Sequence, residues 1–181
     1  MKAKNAYAAQ TRIETALGPM LLAADAEGLA GAWFEGQRHH PGPLAAPDDP
    51  RHPELAAAAA ALCAYLDGRS DRIELRLAAR GTPFQHAVWQ ALLTIPRGTV
   101  ASYREIAARV GRPAALRAVG AAVGRNPLSV VVPCHRVLAS DGSLGGYAGG
   151  VERKRALLAL EGAAPPLGVR PAAESRLNSP G

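Results

Sequence analysis

Cysteine is nearly absent from these 181 residues: Cys63 and Cys134 stand alone, 71 positions apart. Two isolated thiols make no disulfide framework, and reduced thiols point to the cytoplasm. Aromatic residues are scarce as well, at 4%, so the core has to be built mainly from alanine, leucine and valine. Long apolar runs are missing. The longest, residues 56–66, is too short and too alanine-rich to span a bilayer, which argues against a membrane partner. Residues 1–12 lack the apolar segment of an export signal. There is no CxxC or HxxxH pattern either, so His39 and His40 read as an exposed loop pair and no metal is expected. What remains is a soluble intracellular protein. With 48% hydrophobic and 20% charged residues, the chain forms one domain or two small ones around a sizeable core.

Charge is present but unevenly placed. Residues 1–80 carry 9 Lys/Arg against 10 Asp/Glu, residues 81–162 carry 10 against 4, and the tail adds one more positive charge to reach +6. A surplus gathered in one half fits a polyanion partner, although a merely solubilising surface has the same composition.

Loose alternation and turn residues predict strands over residues 11–16, 20–25 and 29–34 of a small antiparallel sheet. Residues 36–51 form a loop. A helix is expected over residues 54–67, with Pro53 in its first turn, Gly68 as its stop and Cys63 packed among alanines and leucines. Residues 73–77 alternate as a strand, and residues 78–81 read as a linker. Thr82-Pro83-Phe84-Gln85 opens a helix with a capping box, and Phe84, Val88, Leu92 and Ile95 share its core face, flanked by Trp89. Ser102-Tyr103-Arg104-Glu105 is a second capping box, and its short helix ends at Gly111. Pro113 then starts a helix to Gly124, completing a helix-turn-helix outline. Leu116, Val119 and Val123 of that helix face inward. Arg117, Gly120, Ala121 and Gly124 form a stripe that would let the backbone approach a groove, or equally another helix. Residues 140–143 form a hairpin turn, and the glycine-rich residues 145–150 form a loop around Tyr147. A last helix over residues 151–161 turns Leu157, Leu158 and Leu160 to the core, and residues 163–181 form a disordered tail. The fold class is α/β (α+β): an N-terminal antiparallel sheet domain with a helix, residues 1–80, joined to a mostly helical C-terminal domain, residues 81–162.

The run Val130-Val131-Val132-Pro133-Cys134-His135-Arg136-Val137 carries the chemistry. Three valines read as a short buried strand closed by Pro133, with Cys134 at its end. A thiol attacks only as thiolate and needs a base or a positive field. His135 and Arg136 are adjacent, but neighbours on an extended chain point to opposite faces, so coupling needs a bend or a bridging water. Local chemistry alone is equally consistent with an inert buried thiol.

Pro133-Cys134-His135-Arg136-Val137 resembles the active-site signature of the O6-alkylguanine-DNA alkyltransferases, the methylated-DNA–protein-cysteine methyltransferases. The resemblance takes in Ser102-Tyr103, Arg117-Ala118-Val119-Gly120, Asn126-Pro127, Gly146-Tyr147 with Gly149-Gly150, and Glu161-Gly162, in the family's order and spacing. It is close over residues 82–162 and holds only in outline before that. It implies single-turnover DNA repair, in which the alkyl group of O6-alkylguanine, and of O4-alkylthymine, passes to Cys134. His135 would act through water as the base and Glu161 would orient it. Tyr103 would help the guanine leave, assisted by Lys154. Asn126 would be the hinge. Arg117 would fill the stack vacated by a flipped nucleotide, with Ser102, Ala118, Gly120, Ala121 and Arg125 beside it on the DNA. Tyr147 and Ala148 would wall the base pocket. The implied partner is double-stranded DNA, bound in the minor groove without sequence preference by a monomer, with cooperativity on DNA left open. No cofactor is implied.

Ala148 departs from members with a serine there, which leaves the O6 contact to backbone amides and bears on acceptance of bulky adducts. The first half has no Cys/His cluster, so the structural zinc of some relatives is not expected. Three other readings compete: a silent damage binder, which would lack Cys134; a helix-turn-helix regulator; and a cysteine hydrolase turning over an acyl substrate.

Overall fold

The computed structural model describes residues 6–163. The tail expected beyond residue 163 lies outside the described residues. Three strands, β1 (Ala9–Ile13), β2 (Met20–Asp25) and β3 (Gly28–Phe34), form an antiparallel sheet in that order. β1 begins two residues earlier than its alternation suggested. The tight β2–β3 turn depends on Gly28: at φ 146° a Cβ there would lie 2.4 Å from the Arg76 carbonyl oxygen. Helix α1 (Pro53–Leu66) lays Leu55, Ala58, Leu62, Tyr65 and Leu66 on the sheet, an i, i+3, i+4 stripe.

All seven residues of β3 are buried, although it is last in the sheet order. Its outer edge is covered by two later segments. The Leu29 N–H donates to the Arg76 carbonyl and the Ala78 N–H to that of Leu29, at 2.8 and 2.7 Å. Further along, the Ala32 N–H donates to the Pro127 carbonyl and the Ser129 N–H to that of Ala32, at 2.8 and 2.9 Å. Residues 73–77 therefore do not make the strand that their alternation predicts. Only Leu77 bridges β3, opposite Leu29, because the edge is shared with the segment around Leu128.

Helix α2 (Pro83–Leu93) has the expected reciprocal cap between Thr82 and Gln85 and buries Val88, Trp89 and Leu92. The Trp89 indole N–H donates to the Ala122 carbonyl at 2.9 Å, tying α2 to the helix-turn-helix. Ser102 and Glu105 cap α3 (Tyr103–Arg109) in the same way. Just before it, β4 (Ala101–Ser102) pairs in parallel with β5 (Val137–Leu138), which anchors α3 beside the cysteine turn. α4 (Leu116–Gly124) starts three residues later than Pro113. Residues 112–115 close a turn through the Ala115 N–H and the Arg112 carbonyl, and no side chain caps the helix start. Leu116 consequently faces outward, 40% exposed, while Val119 and Val123 are buried as expected. A turn does form at residues 139–143, but no strand follows it to complete a hairpin. The last helix, α5 (Val151–Leu160), ends at Glu161, and Gly162 takes the left-handed conformation at φ 67°.

Candidate active site

The three valines before Pro133 are not a strand. Leu128 is the last residue bridged to β3; the chain then coils through residues 129–132, with Val130 at φ 74°. A buried β-branched residue in the left-handed region costs about 1–2 kcal/mol and persists only where the surroundings impose it. Here Asn126 imposes it. Its amide nitrogen donates to the carbonyls of Leu128 and Val132 at 3.3 and 2.9 Å, and its oxygen accepts from the Leu128 N–H at 2.9 Å. The same nitrogen reaches Cys134 Sγ at 3.2 Å. One buried side chain thus winds the turn and donates to the thiol.

Cys134 accordingly opens a 3₁₀ turn, Cys134–Arg136, rather than ending a strand. The tight turn replaces the extended geometry that would send neighbours to opposite faces. Cys134 and His135 are both buried, at 5% and 0% exposure. His135 Nε2 lies 2.7 Å from Glu161 Oε1, which fixes the proton on Nε2 and leaves Nδ1 as the acceptor. Nδ1 has no hydrogen-bond partner among the described residues, and neither has the buried Tyr147 hydroxyl. Glu161 stands at the C-terminus of α5 and also accepts from Arg136, Nε to Oε2 and Nη2 to Oε1, both at 2.9 Å.

The electrostatics follow from burial and these bonds. Burial pushes the Cys134 thiol up, outweighing the Asn126 hydrogen bond and the Lys154 charge that favour thiolate, so the resting sulfur is protonated. Burial also holds His135 below the usual imidazole range despite Glu161, so the ring is neutral. Burial would raise Glu161 too, but donation by His135, Arg136 and Tyr65 prevails and brings it to about 2. Lys154 is fully buried on α5, and burial lowers it to about 8. Its Nζ donates to the carbonyls of Val137, Leu144 and Gly146, fastening the glycine-rich loop over the cysteine.

A cavity of about 110 Å³ opens above Cys134. Tyr103, Gly146, Tyr147 and Ala148 line it together with Gly120, Val123 and Gly124 of α4. Burial raises the Tyr103 and Tyr147 phenols, so both stay protonated hydroxyls. Of the residues expected in the site, Asn126, Lys154 and Glu161 stand behind the cavity as supports. Arg117, Ala118 and Ala121 lie on the exposed part of α4, Arg125 is exposed just past its end, and Ser102 is occupied in capping α3. Two lining residues were not anticipated: Arg38 and His39, from the loop after β3. The Arg38 N–H donates to the Ala148 carbonyl at 2.9 Å, and His39 is held at φ 57°. Nothing local marks them in the sequence, where they belong to a loop rich in proline, histidine and aspartate. Among the described residues no group of three or more His, Cys, Asp or Glu could hold a metal, and no helix is long and apolar enough to cross a membrane.

The profile of the 6-O-methylguanine DNA methyltransferase DNA-binding domain matches residues 83–163. A methylated-DNA–protein-cysteine methyltransferase of Mycobacterium bovis is 44% identical over 149 residues, 82% of this chain and 89% of the relative. That of Methanosarcina barkeri is 43% identical over 150 residues, covering 82% and 94%. The crystal structure of Mycobacterium tuberculosis OGT in complex with DNA superposes with a TM-score of 0.77 at 42% identity, covering 85% of this chain and 92% of that one.

Proposed function

The chain belongs to the methylated-DNA–protein-cysteine methyltransferase family, and on that premise we propose how its residues divide the work. The activity is direct reversal of O6-methylguanine in DNA, with the methyl group passing to a cysteine of the protein itself. Cys134 is the acceptor. The observation that carries this is the pairing of a buried thiol, held by Asn126, with a neutral His135 whose second nitrogen is committed to Glu161.

In our reading His135 Nδ1 receives the thiol proton through a water, and Glu161 stabilises the imidazolium that forms. The thiolate attacks the alkyl carbon; an S–C bond forms as the C–O6 bond breaks, and its electron pair leaves with the guanine. Tyr103 donates a hydrogen bond to the departing base, and the thiol proton passes back through the site to it. The products are ordinary guanine and a thioether. A thioether has no electrophilic carbonyl for water to attack, so each molecule acts once. Lys154, Asn126 and Glu161 are positioning residues: Lys154 holds the Tyr147–Ala148 loop in place and lends its positive field to the sulfur. O4-alkylthymine presents the same alkyl–oxygen bond and belongs to the same substrate class.

A base inside a duplex cannot offer its O6 substituent to a buried thiol, so the nucleotide has to be extruded, at a cost of about a few kcal/mol. The exposed face of α4 suits that task in the minor groove. Ala118, Gly120 and Ala121 let the backbone approach closely, Arg117 fills the vacated stack and Arg125 meets phosphate, without sequence preference. The related M. tuberculosis protein is crystallised with DNA, which supports this use of the face. Arg38 and His39, which line the same cavity as α4, are suited to meet the backbone of the flipped nucleotide. A single chain suffices for every step, in keeping with a cytoplasmic monomer.

Incubation with duplex DNA containing O6-methylguanine, followed by intact mass, tests the assignment. One methyl per protein, a gain of about 14 Da confined to Cys134, is expected. Methyl release as methanol with sustained turnover would overturn it.

A further inference from the structure

Glu161 is approached from three elements. His135 and Arg136 come from the cysteine turn, and Tyr65 comes from α1, in the first half of the chain. The Tyr65 hydroxyl donates to Oε1 at 2.5 Å, the same oxygen that receives His135 Nε2 at 2.7 Å and Arg136 Nη2 at 2.9 Å. Among the described residues Oε2 receives only Arg136 Nε. A carboxylate oxygen has two in-plane lone pairs, so three donors on Oε1 divide charge that His135 would otherwise share with one competitor. The phenol ring is buried on the core face of α1, with the Arg97 guanidinium 5.6 Å from its centroid, and Arg136 Nη2 lies 3.3 Å from its oxygen. Tyr65 therefore has one orientation available, and it points at the base's partner.

We propose that Tyr65 is a positioning residue of alkyl transfer, which by loading Glu161 Oε1 sets how readily His135 accepts the thiol proton. This rests on the reading of His135 as base and Glu161 as its support. The charged and titratable groups facing the pair are Arg136, Lys154, Cys134 and Tyr147 around His135, and Arg136 and Tyr65 around Glu161. Of these only Tyr65 itself changes in the phenylalanine variant below. With the hydroxyl gone, Oε1 holds the Nε2 proton more strongly and the imidazolium gains stability. His135 then stays protonated to higher pH, and only the neutral ring can take the thiol proton. Removal of Tyr65's oxygen thus moves the acid limb of the rate profile upward.

The experiment measures single-turnover methyl transfer from duplex DNA against pH for the parent, Tyr65→Phe and Glu161→Gln. Tyr65→Phe should still take up one methyl per protein. In the acid limb it should react about threefold more slowly than the parent, approaching the parental rate above neutrality. Glu161→Gln, which lacks the charge altogether, should move the limb the other way and lower the plateau. A fluorotyrosine placed at position 65 keeps the shape but donates more strongly, and should shift the limb downward. That reversal of sign is something packing cannot produce, and it serves if the phenylalanine variant folds poorly. Limbs that coincide for the parent and both position-65 variants, while Glu161→Gln moves, would overturn the role of Tyr65 alone. An unmoved limb in Glu161→Gln would remove the base assignment and this proposal with it.

Discussion

Cys63 and Cys134 are both free thiols, and the difference between them lies in what surrounds each. Cys63 sits part-exposed on α1, where its sulfur meets the Glu14 carbonyl at 3.6 Å. Cys134 is almost closed off from solvent, yet Asn126 donates to it, Lys154 lends it charge and the neighbouring imidazole is neutral and held by a carboxylate. On the proposed assignment the more accessible thiol is the worse nucleophile. In the proposed mechanism reactivity comes from a constellation drawn from the turn after α4, the 3₁₀ turn, α5 and α1, not from exposure.

The comparison breaks most sharply at the two sulfurs themselves. Cys134→Ser should abolish methyl uptake, whereas Cys63→Ser should leave it intact, read by mass after exposure to methylated duplex. A next, smaller effect separates the DNA-facing surface from the thiol's support. Arg117→Ala should slow repair of duplex by on the order of tenfold while leaving reaction with the free alkylated base unchanged, because only the duplex needs its stack filled. His135→Ala should slow both substrates. Equal losses on both substrates in a folded Arg117→Ala protein would put Arg117 in the chemistry or the fold instead.

The smallest effect concerns stability, and it distinguishes the two surroundings without any substrate. Glu161 has a folded-state value of about 2 against an ordinary 4.5. Its contribution is therefore fully present above pH 4.5 and lost as pH falls toward 2, on the order of 2 kcal/mol once solvent screening is allowed for. Denaturant midpoints should decline through that window in the parent and more shallowly in Glu161→Gln. Cys63→Ser should show the same decline as the parent.

Much of this was readable in advance where the cause is local. Both capping boxes formed as Thr82-x-x-Gln85 and Ser102-x-x-Glu105 require, because each bond spans three residues. The fold class and the cysteine motif were legible for a similar reason, as short spacings carried in order. The failures share the opposite cause. Residues 130–132 have the composition of a strand, but Asn126 and the β3 edge wind them into a turn. Residues 73–77 alternate properly and meet the sheet at one residue only. Pro113 promised a helix start that no capping side chain completes. Arg38, His39 and Tyr65 reach the site across the fold from the first half, and no pattern near them in sequence announces it.

The seam between Ala32 and the Pro127–Ser129 segment bears on the order in which the molecule assembles. It is completed by Ser129 Oγ donating to Gln37 Oε1 at 3.0 Å, a contact between residues 92 apart in the chain. Closing so long a loop forfeits chain entropy before the contact returns anything, so such pairings form late in folding. The strained Val130 turn is held between that seam and Asn126, and the Cys134 turn follows directly from it. A chain whose halves have not docked lacks the seam that holds this turn. On the proposed assignment of Cys134 as acceptor, its setting is complete only once these long-range contacts have closed, so the acceptor site is a property of the docked halves and not of the cysteine turn alone.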